Sequence, residues 1–201
     1  MSADASKPIR IVVALGSVRP GNMSAKAARL VIDELEKDPA VAVDVIDPAD
    51  LRLSLPGLSS DQTVPAKLKA LVSSATGLVL VTPEYHGSYS SVMKLVIEQL
   101  GYPSAMSGKP VALLGVAAGA IGAIKALEHL HSVCSHVGAI ALPGPASIAS
   151  VHELFDEDGN CTDAGTERRI RRVSANLLDY IRQNICPRVA MEQMVREPGS
   201  S

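Results

Sequence analysis

The chain of 201 residues has no tryptophan, one phenylalanine and four tyrosines, so any aromatic surface it offers a ligand comes from very few side chains. Two of those tyrosines, Tyr85 and Tyr89, stand almost together. An excess of either charge is missing as well: 19 Lys and Arg against 21 Asp and Glu leave a net charge of −2 and a pI near 6.2, which gives no electrostatic footprint for nucleic acid. The three cysteines have no paired spacing, so neither a disulfide framework nor a catalytic thiol is expected. The longest apolar run, residues 111–124, is shorter than a membrane span and contains three glycines. Residues 1–10 are polar and lack the apolar core of a signal peptide. A cytoplasmic protein without membrane or nucleic-acid partners is the expectation.

With 47% hydrophobic and 20% charged residues, the composition is that of a globular protein, and the length favours one domain. Apolar, β-branched runs at 9–15, 41–46, 77–81, 111–115 and 138–142 alternate with stretches of helical periodicity at 24–37, 65–74, 91–100, 120–134 and 166–184. Such alternation predicts an α/β domain, a parallel sheet covered by helices on both faces. Residues 1–8 read as a polar N-terminal extension, 9–184 as the domain, and 185–201 as a C-terminal extension that is loose from Glu192. The mixed connection 47–64 is long enough to form one wall of a site.

Two strand-to-helix loops carry the chemistry. The first, Gly16-Ser17-Val18-Arg19-Pro20-Gly21-Asn22-Met23-Ser24, leads from a strand into a helix, whose amino terminus presents unpaired N–H groups and positive dipole charge to a phosphate. Ser17 and Ser24 add hydroxyls and Arg19 a planar guanidinium. The loop narrowly misses a Walker A motif, because Asn22-Met23 stands where Lys and Ser/Thr would hold a terminal phosphate and magnesium. It also misses the dinucleotide fingerprint, because Val18 stands at the second glycine. A single phosphate fits best. An ordinary capped helix, with Asn22 or Ser24 as cap, leaves Arg19 and the glycines unexplained. In the second loop, Thr82-Pro83-Glu84-Tyr85-His86-Gly87-Ser88, Pro83 fixes a dihedral and Gly87 permits close approach, so peptide planes can lie against an aromatic cofactor ring.

At these loops the chain resembles the NADPH-dependent FMN reductase family of flavodoxin-like proteins. Members show Gly-Ser-x-Arg-x-x-Ser-x-Asn in the first loop, matched here by Ser17 and Arg19 with Asn22 and Ser24 exchanged. They show Pro-Glu-Tyr-Asn-Gly-Ser in the second, matched by Pro83 to Ser88 with His86 for Asn. The resemblance extends over roughly residues 9–182 and includes the turn Gly115-Val116-Ala117-Ala118-Gly119. It implies a flavodoxin-like three-layer sandwich with a five-stranded parallel sheet in the order 2-1-3-4-5, which sets the first and third strands at the topological switch point.

It also implies that Ser17, Arg19, Asn22, Met23 and Ser24 hold the FMN phosphate. Pro83, Glu84, Tyr85, His86, Gly87 and Ser88 border the ring, and Ala117, Ala118 and Gly119 take its pyrimidine end. NADPH or NADH then passes hydride through FMN to a small acceptor such as a flavin, quinone, azo compound or metal oxyanion, in ping-pong fashion. No side chain acts as a catalytic group, and Tyr85 and His86 border the stacked substrates. The alternative is a flavodoxin-type electron carrier that binds FMN without oxidising NAD(P)H; a nearly neutral chain poor in aromatics argues against it.

Other features have plainer readings. Glu128, His129, His131, Cys134 and His136 would diverge around an amphipathic helix, so no metal site is expected. Asp156-Glu157-Asp158-Gly159-Asn160 starts like a calcium loop, but Cys161 takes the position that requires glycine, which leaves a turn. The helix bearing Val92, Met93, Leu95, Val96, Ile97 and Leu100 is apolar on more than one side. With the resemblance, it points to a homodimer or homotetramer, with Tyr102 or the 47–64 connection near the flavin of the other subunit.

Overall fold

The computed structural model describes residues 9–58 and 61–196; the extension expected at 1–8 and positions 197–201 of the expected tail lie outside the described residues. The strands are β1 (Ile9–Leu15), β2 (Val41–Ile46), β3 (Gly77–Tyr85), β4 (Ser88–Tyr89), β5 (Pro110–Val116), β6 (Ile140–Ala141) and β7 (Ala146–Ile148). The α-helices are α1 (Met23–Glu36), α2 (Thr63–Ser74), α3 (Ser91–Glu98), α4 (Ile124–His136), α5 (Ala164–Tyr180) and α6 (Cys186–Arg196). The main path of the sheet is β2-β1-β3-β5-β6, the expected flavodoxin-like order, with all neighbours parallel.

The sheet has seven strands instead of five, for two local reasons. The fifth position is split: Pro143-Gly144-Pro145 removes two ladder donors, so β6 stops early and β7 resumes beside β5 from Ala146. At the third position the strand runs past Val81 to Tyr85 and folds back as β4. Pro83 is tolerated there because β1 ends opposite Val81 and β3 then pairs only with β5, as far as Pro83 opposite Val116.

Alternation along β1 divides the core. Ile11, Val13 and Leu15 pack with Val31 and Leu35 of α1 and Ile170, Val173 and Leu177 of α5. Val12 and Ala14 face Leu68 and Val72 of α2, Met93 and Val96 of α3, and Leu127 and Leu130 of α4. Each face is therefore covered, and near-continuous apolar strands are the consequence. Cys134 lies within the second cluster, where burial pushes its thiol up to about 12, so it acts as a small hydrophobe.

The helix expected to run on to residue 184 changes pitch. After Tyr180, Ile181–Ile185 forms a π-helical turn in which Cys186 N–H donates to Ile181 O. Pro187 has no N–H with which to continue the ordinary ladder, and the wider turn takes up the mismatch. The chain then stays helical to Arg196, where a loose segment from Glu192 was expected.

Arg171 ties α5 to α1, donating to Asp33, to Glu34 at 3.2 Å, and within its own helix to Glu167 at 2.8 Å. The Arg171 hydrogen bond holds Asp33 below its ordinary value of 3.8, and Lys37 and Arg171 together lower Glu34. Carboxyls lowered in the folded state add stability above their unfolded values, and that stability is lost as pH falls through the folded ones. Arg171→Met is therefore expected to lower Tm most near neutral pH, with the gap to wild type closing below about pH 4. Melts across pH that run parallel for the two proteins would count against this link. Because these carboxylates are partly exposed, the neutral-pH difference should be modest, about 1 kcal/mol.

Candidate functional site

Loops after β1, β3, β5 and β7 converge at the carboxyl edge of the sheet. They enclose a cavity of about 330 Å³ lined by Ser17, Arg19, Pro20, Gly21, Asn22, Met23, Ser24, Pro83, Glu84, Tyr85, Val116, Ala118, Val151 and His152. A larger depression of about 670 Å³ is formed by α1 and α5 side chains alone and lies off the strand ends.

The first loop turns tightly because Gly16 N–H donates to Val81 O at 2.7 Å, with a Cβ at Gly16 only 3.1 Å from that carbonyl. Asn22 caps α1: its Oδ1 accepts from Ala25 N–H at 2.8 Å, while its Nδ2 donates to Arg19 O at 2.8 Å. The amide is thus engaged in shaping the loop. With Ala25 capped and Asn22 N–H donating to Arg19 O, the helix leaves the N–H groups of Met23 and Ser24 for a ligand. Ser24 is buried, and its hydroxyl has no hydrogen-bond partner among the described residues. Ser17, also buried, only accepts a long bond of 3.4 Å from Arg19 N–H, so its O–H remains a donor. An unpaired buried hydroxyl beside two free N–H groups at a helix head is the donor set that a phosphate monoester needs. The residues present therefore fit the phosphate of FMN.

The second wall is a hairpin rather than an open loop. Tyr85 pairs across it with Ser88, and the turn residues His86 and Gly87 both have positive φ, 50° and 72°, as a two-residue turn matched to strand twist demands. Tyr85 thereby ends β3 at the cavity, and the Arg19 guanidinium lies over its ring at 4.7 Å from the centroid. This cation–π contact closes the two loops on each other. His86 is exposed in the turn, and neither it nor Gly87 nor Ser88 lines the cavity.

Ala118 alone of the third expected group reaches the cavity. Ala117 N–H donates to Ile148 O at 2.9 Å, and its side chain packs with Ala123 and Ala126. Gly119 O accepts from Gly122 and Ser150 N–H. The α4 helix begins at Ile124 rather than 120, because Gly122 turns the chain at φ 81°. It packs closely on β5 because Gly115 has no Cβ; one there would lie 2.7 Å from Ala123 Cβ.

Val151 and His152 complete the cavity and were not foreseen. The strand reading ended at 142, whereas β7 carries the carboxyl edge on to Ile148; Ser150, at φ 45°, then turns the chain into the site. None of the described residues of the 47–64 connection lines this cavity; Ser54 O accepts from Gln99 Nε2, and Ser54, Leu55, Pro56 and Gly57 border a separate groove near Glu98. Among the described residues no group of three His, Cys, Asp or Glu side chains gathers as metal ligands, and no helix is long and apolar enough to cross a membrane. The 156–160 segment is a turn closed by Asn160 N–H on Asp156 Oδ1 at 2.7 Å.

Comparison with known proteins agrees with this geometry. A 2-hydroxy-1,4-benzoquinone reductase of a Burkholderia species is 27% identical over 179 residues, 87% of this chain and 97% of its own. An NADPH azoreductase of a Bacillus species (strain OY1-2) is 35% identical over 154 residues, 75% of this chain and 83% of its own. Among solved structures, FerB of Paracoccus denitrificans, a flavoenzyme NAD(P)H:(acceptor) oxidoreductase, superposes with a TM-score of 0.74 at 25% identity, covering 87% of this chain and 97% of that one. Residues 9–153, which include the phosphate loop, the hairpin and the final loop to His152, match the NADPH-dependent FMN reductase family; the chain belongs to that family and is an oxidoreductase that uses FMN with NAD(P)H as electron donor.

Proposed function

We propose that the protein passes reducing equivalents from NAD(P)H to a small quinone or azo acceptor at the cavity beside Tyr85, the two substrates taking turns there. The observation that carries the reading is the unpartnered buried Ser24 hydroxyl at the head of α1, facing the same cavity as Tyr85. FMN, when bound, would supply the redox chemistry of hydride transfer. The protein holds and orients. Ser17, Ser24 and the α1 N–H groups take the phosphate, and Arg19 adds charge at the mouth. Pro83, Glu84 and Tyr85 form the wall that would hold a flat ring. The N–H of Ala118, which lines the cavity and has no backbone acceptor among the described residues, would be free to meet negative charge on a reduced ring. The acceptor class follows the names of the benzoquinone reductase and azoreductase relatives.

Anaerobic addition of NADPH or NADH to the FMN-loaded protein tests the proposal. Rapid loss of the yellow colour is expected, followed by its return when a benzoquinone is added. A protein that neither nucleotide bleaches would be an electron carrier instead. We also propose a cytoplasmic protein that assembles as a dimer or tetramer. In α3, Met93, Val96 and Ile97 are buried within the chain itself, so support for assembly shifts to Tyr102 and Ile121, which are 97% and 83% exposed. A monomer by light scattering of the FMN-loaded protein would remove the assembly.

A further inference from the structure

We propose that α4 sets the working position of Tyr85, with Glu84 and His129 as positioning residues that act through the hairpin. This rests on the reading that substrates stack beside Tyr85. The hairpin cannot hold itself: β4 has two residues and pairs only with β3, and two-stranded hairpins are marginal in water. Ser90 anchors its foot, with N–H donating to Thr82 Oγ1 at 3.1 Å and Oγ donating to Gly16 O. Arg19 lies over Tyr85, and the hydrogen bonds to the hairpin's two arms beside the turn come from α4. Glu84 Oε2 accepts from Ala126 N–H at 3.0 Å, and Ser88 Oγ shares a hydrogen bond with His129 Nδ1 at 3.0 Å. Residues 84 and 88 bracket Tyr85, the first preceding it and the second pairing across from it. The stem of Lys125 covers the turn, 3.6 Å from where a Cβ on Gly87 would stand.

The dependence is mutual. The N-cap of α4, Ala123, provides no side-chain cap, and the Glu84 carboxylate supplies an acceptor to Ala126 N–H at the positive end of the helix. Resemblance to the family assigns Glu84 to the cofactor; here one of its oxygens is already engaged with the helix. The Ser88 hydroxyl can donate to a bare Nδ1 or accept from a protonated one, so that second contact survives either His129 tautomer.

FMN-loaded wild type, Glu84→Ala, Glu84→Gln, Ser88→Ala, His129→Ala and the Ser88→Ala/His129→Ala pair provide the test. In Glu84→Ala the rate of flavin reduction at saturating NAD(P)H should fall about tenfold, the loss of one charge-assisted bond, and FMN affinity should fall by less than the rate, since Glu84 lines the cavity but the phosphate donors are untouched. Glu84→Gln keeps an acceptor for Ala126 N–H and should recover the rate to within about threefold of wild type. The two single variants at the second contact should each slow reduction, and the pair no further than the slower single. Amide exchange at residues 85–88 should rise in Glu84→Ala and in the Ser88/His129 pair, a readout that does not need NAD(P)H to reduce the protein. Wild type that is not reduced would remove the proposed function yet leave the clamp to the exchange result. Glu84→Gln as slow as Glu84→Ala, additive effects of Ser88 and His129, or unchanged exchange would each overturn the clamp. Should Glu84→Ala fail to fold, Glu84→Gln and the Ser88/His129 cycle decide.

Discussion

Ser24→Ala should weaken FMN binding about 10- to 150-fold, equivalent to about 1.5–3 kcal/mol for a hydrogen bond to a charged group, and should not destabilise the FMN-free protein. The opposite signs come from one atom. Ser24 is the second residue of α1, 1% exposed, and its Oγ has no partner among the described residues. A buried hydroxyl without a bond costs about 1–3 kcal/mol, and alanine is also the best helix former. Removing the hydroxyl therefore relieves the free protein and deprives a phosphate of a donor. An ordinary structural serine behaves differently, as Ser174 illustrates: its Oγ donates to Val31 O at 2.9 Å between α5 and α1. Fluorescence titration of the apoprotein with FMN, together with melts of wild type and variant without flavin, measures both signs. A lower apoprotein Tm with unchanged FMN affinity would make Ser24 a packing residue and detach the phosphate from this loop.

The strands around this site were legible because a parallel sheet covered on both faces demands nearly unbroken apolar runs, and β1, the first half of β3, and β5 are such runs. The first loop was read from Arg19 and its glycines, and the structure gives these residues local roles as well, Arg19 over the Tyr85 ring and Gly16 in the tight turn against Val81 O. What stayed hidden depends on partners far along the chain. Glu84 meets Ala126 forty-two residues later, and Ser88 meets His129 forty-one later; no periodicity signals either. The His86-Gly87 turn lacks the asparagine that usually marks a two-residue hairpin, so β3 was cut short at Val81. Pro143-Gly144-Pro145 reads as a strand end, and it is one, but the strand resumes after it; Val151 and His152 were missed for that reason. Ala117 was expected at the pyrimidine end of the flavin, yet its N–H donates to Ile148 O and so belongs to the resumed strand.

Tyr85→Ala should slow both half-reactions, reduction by NAD(P)H and reoxidation by a quinone, by on the order of 10²-fold, the scale on which lost positioning is felt. Tyr85 is half-buried at the end of β3 and lines the cavity beside Pro83, Glu84 and Ala118. In the proposed function the nicotinamide and the acceptor occupy the same place in turn, so one side chain touches both. FMN affinity should fall less than in Ser24→Ala, because the phosphate donors are untouched. It should not be unchanged, since Arg19 loses the ring it lies over at 4.7 Å, a contact worth about 0.5–1 kcal/mol at an exposed site. Stopped flow separates the half-reactions, each readable as a transition-state free energy. Tyr85→Phe distinguishes the ring from the hydroxyl: near wild-type rates would assign the effect to stacking, whereas rates like those of Tyr85→Ala would assign it to the phenol. Wild type should also give parallel double-reciprocal plots, since the oxidised nucleotide must leave before the acceptor stacks. Intersecting plots, or a Tyr85→Ala variant impaired in one half-reaction only, would separate the two substrate positions and end the shared-place mechanism.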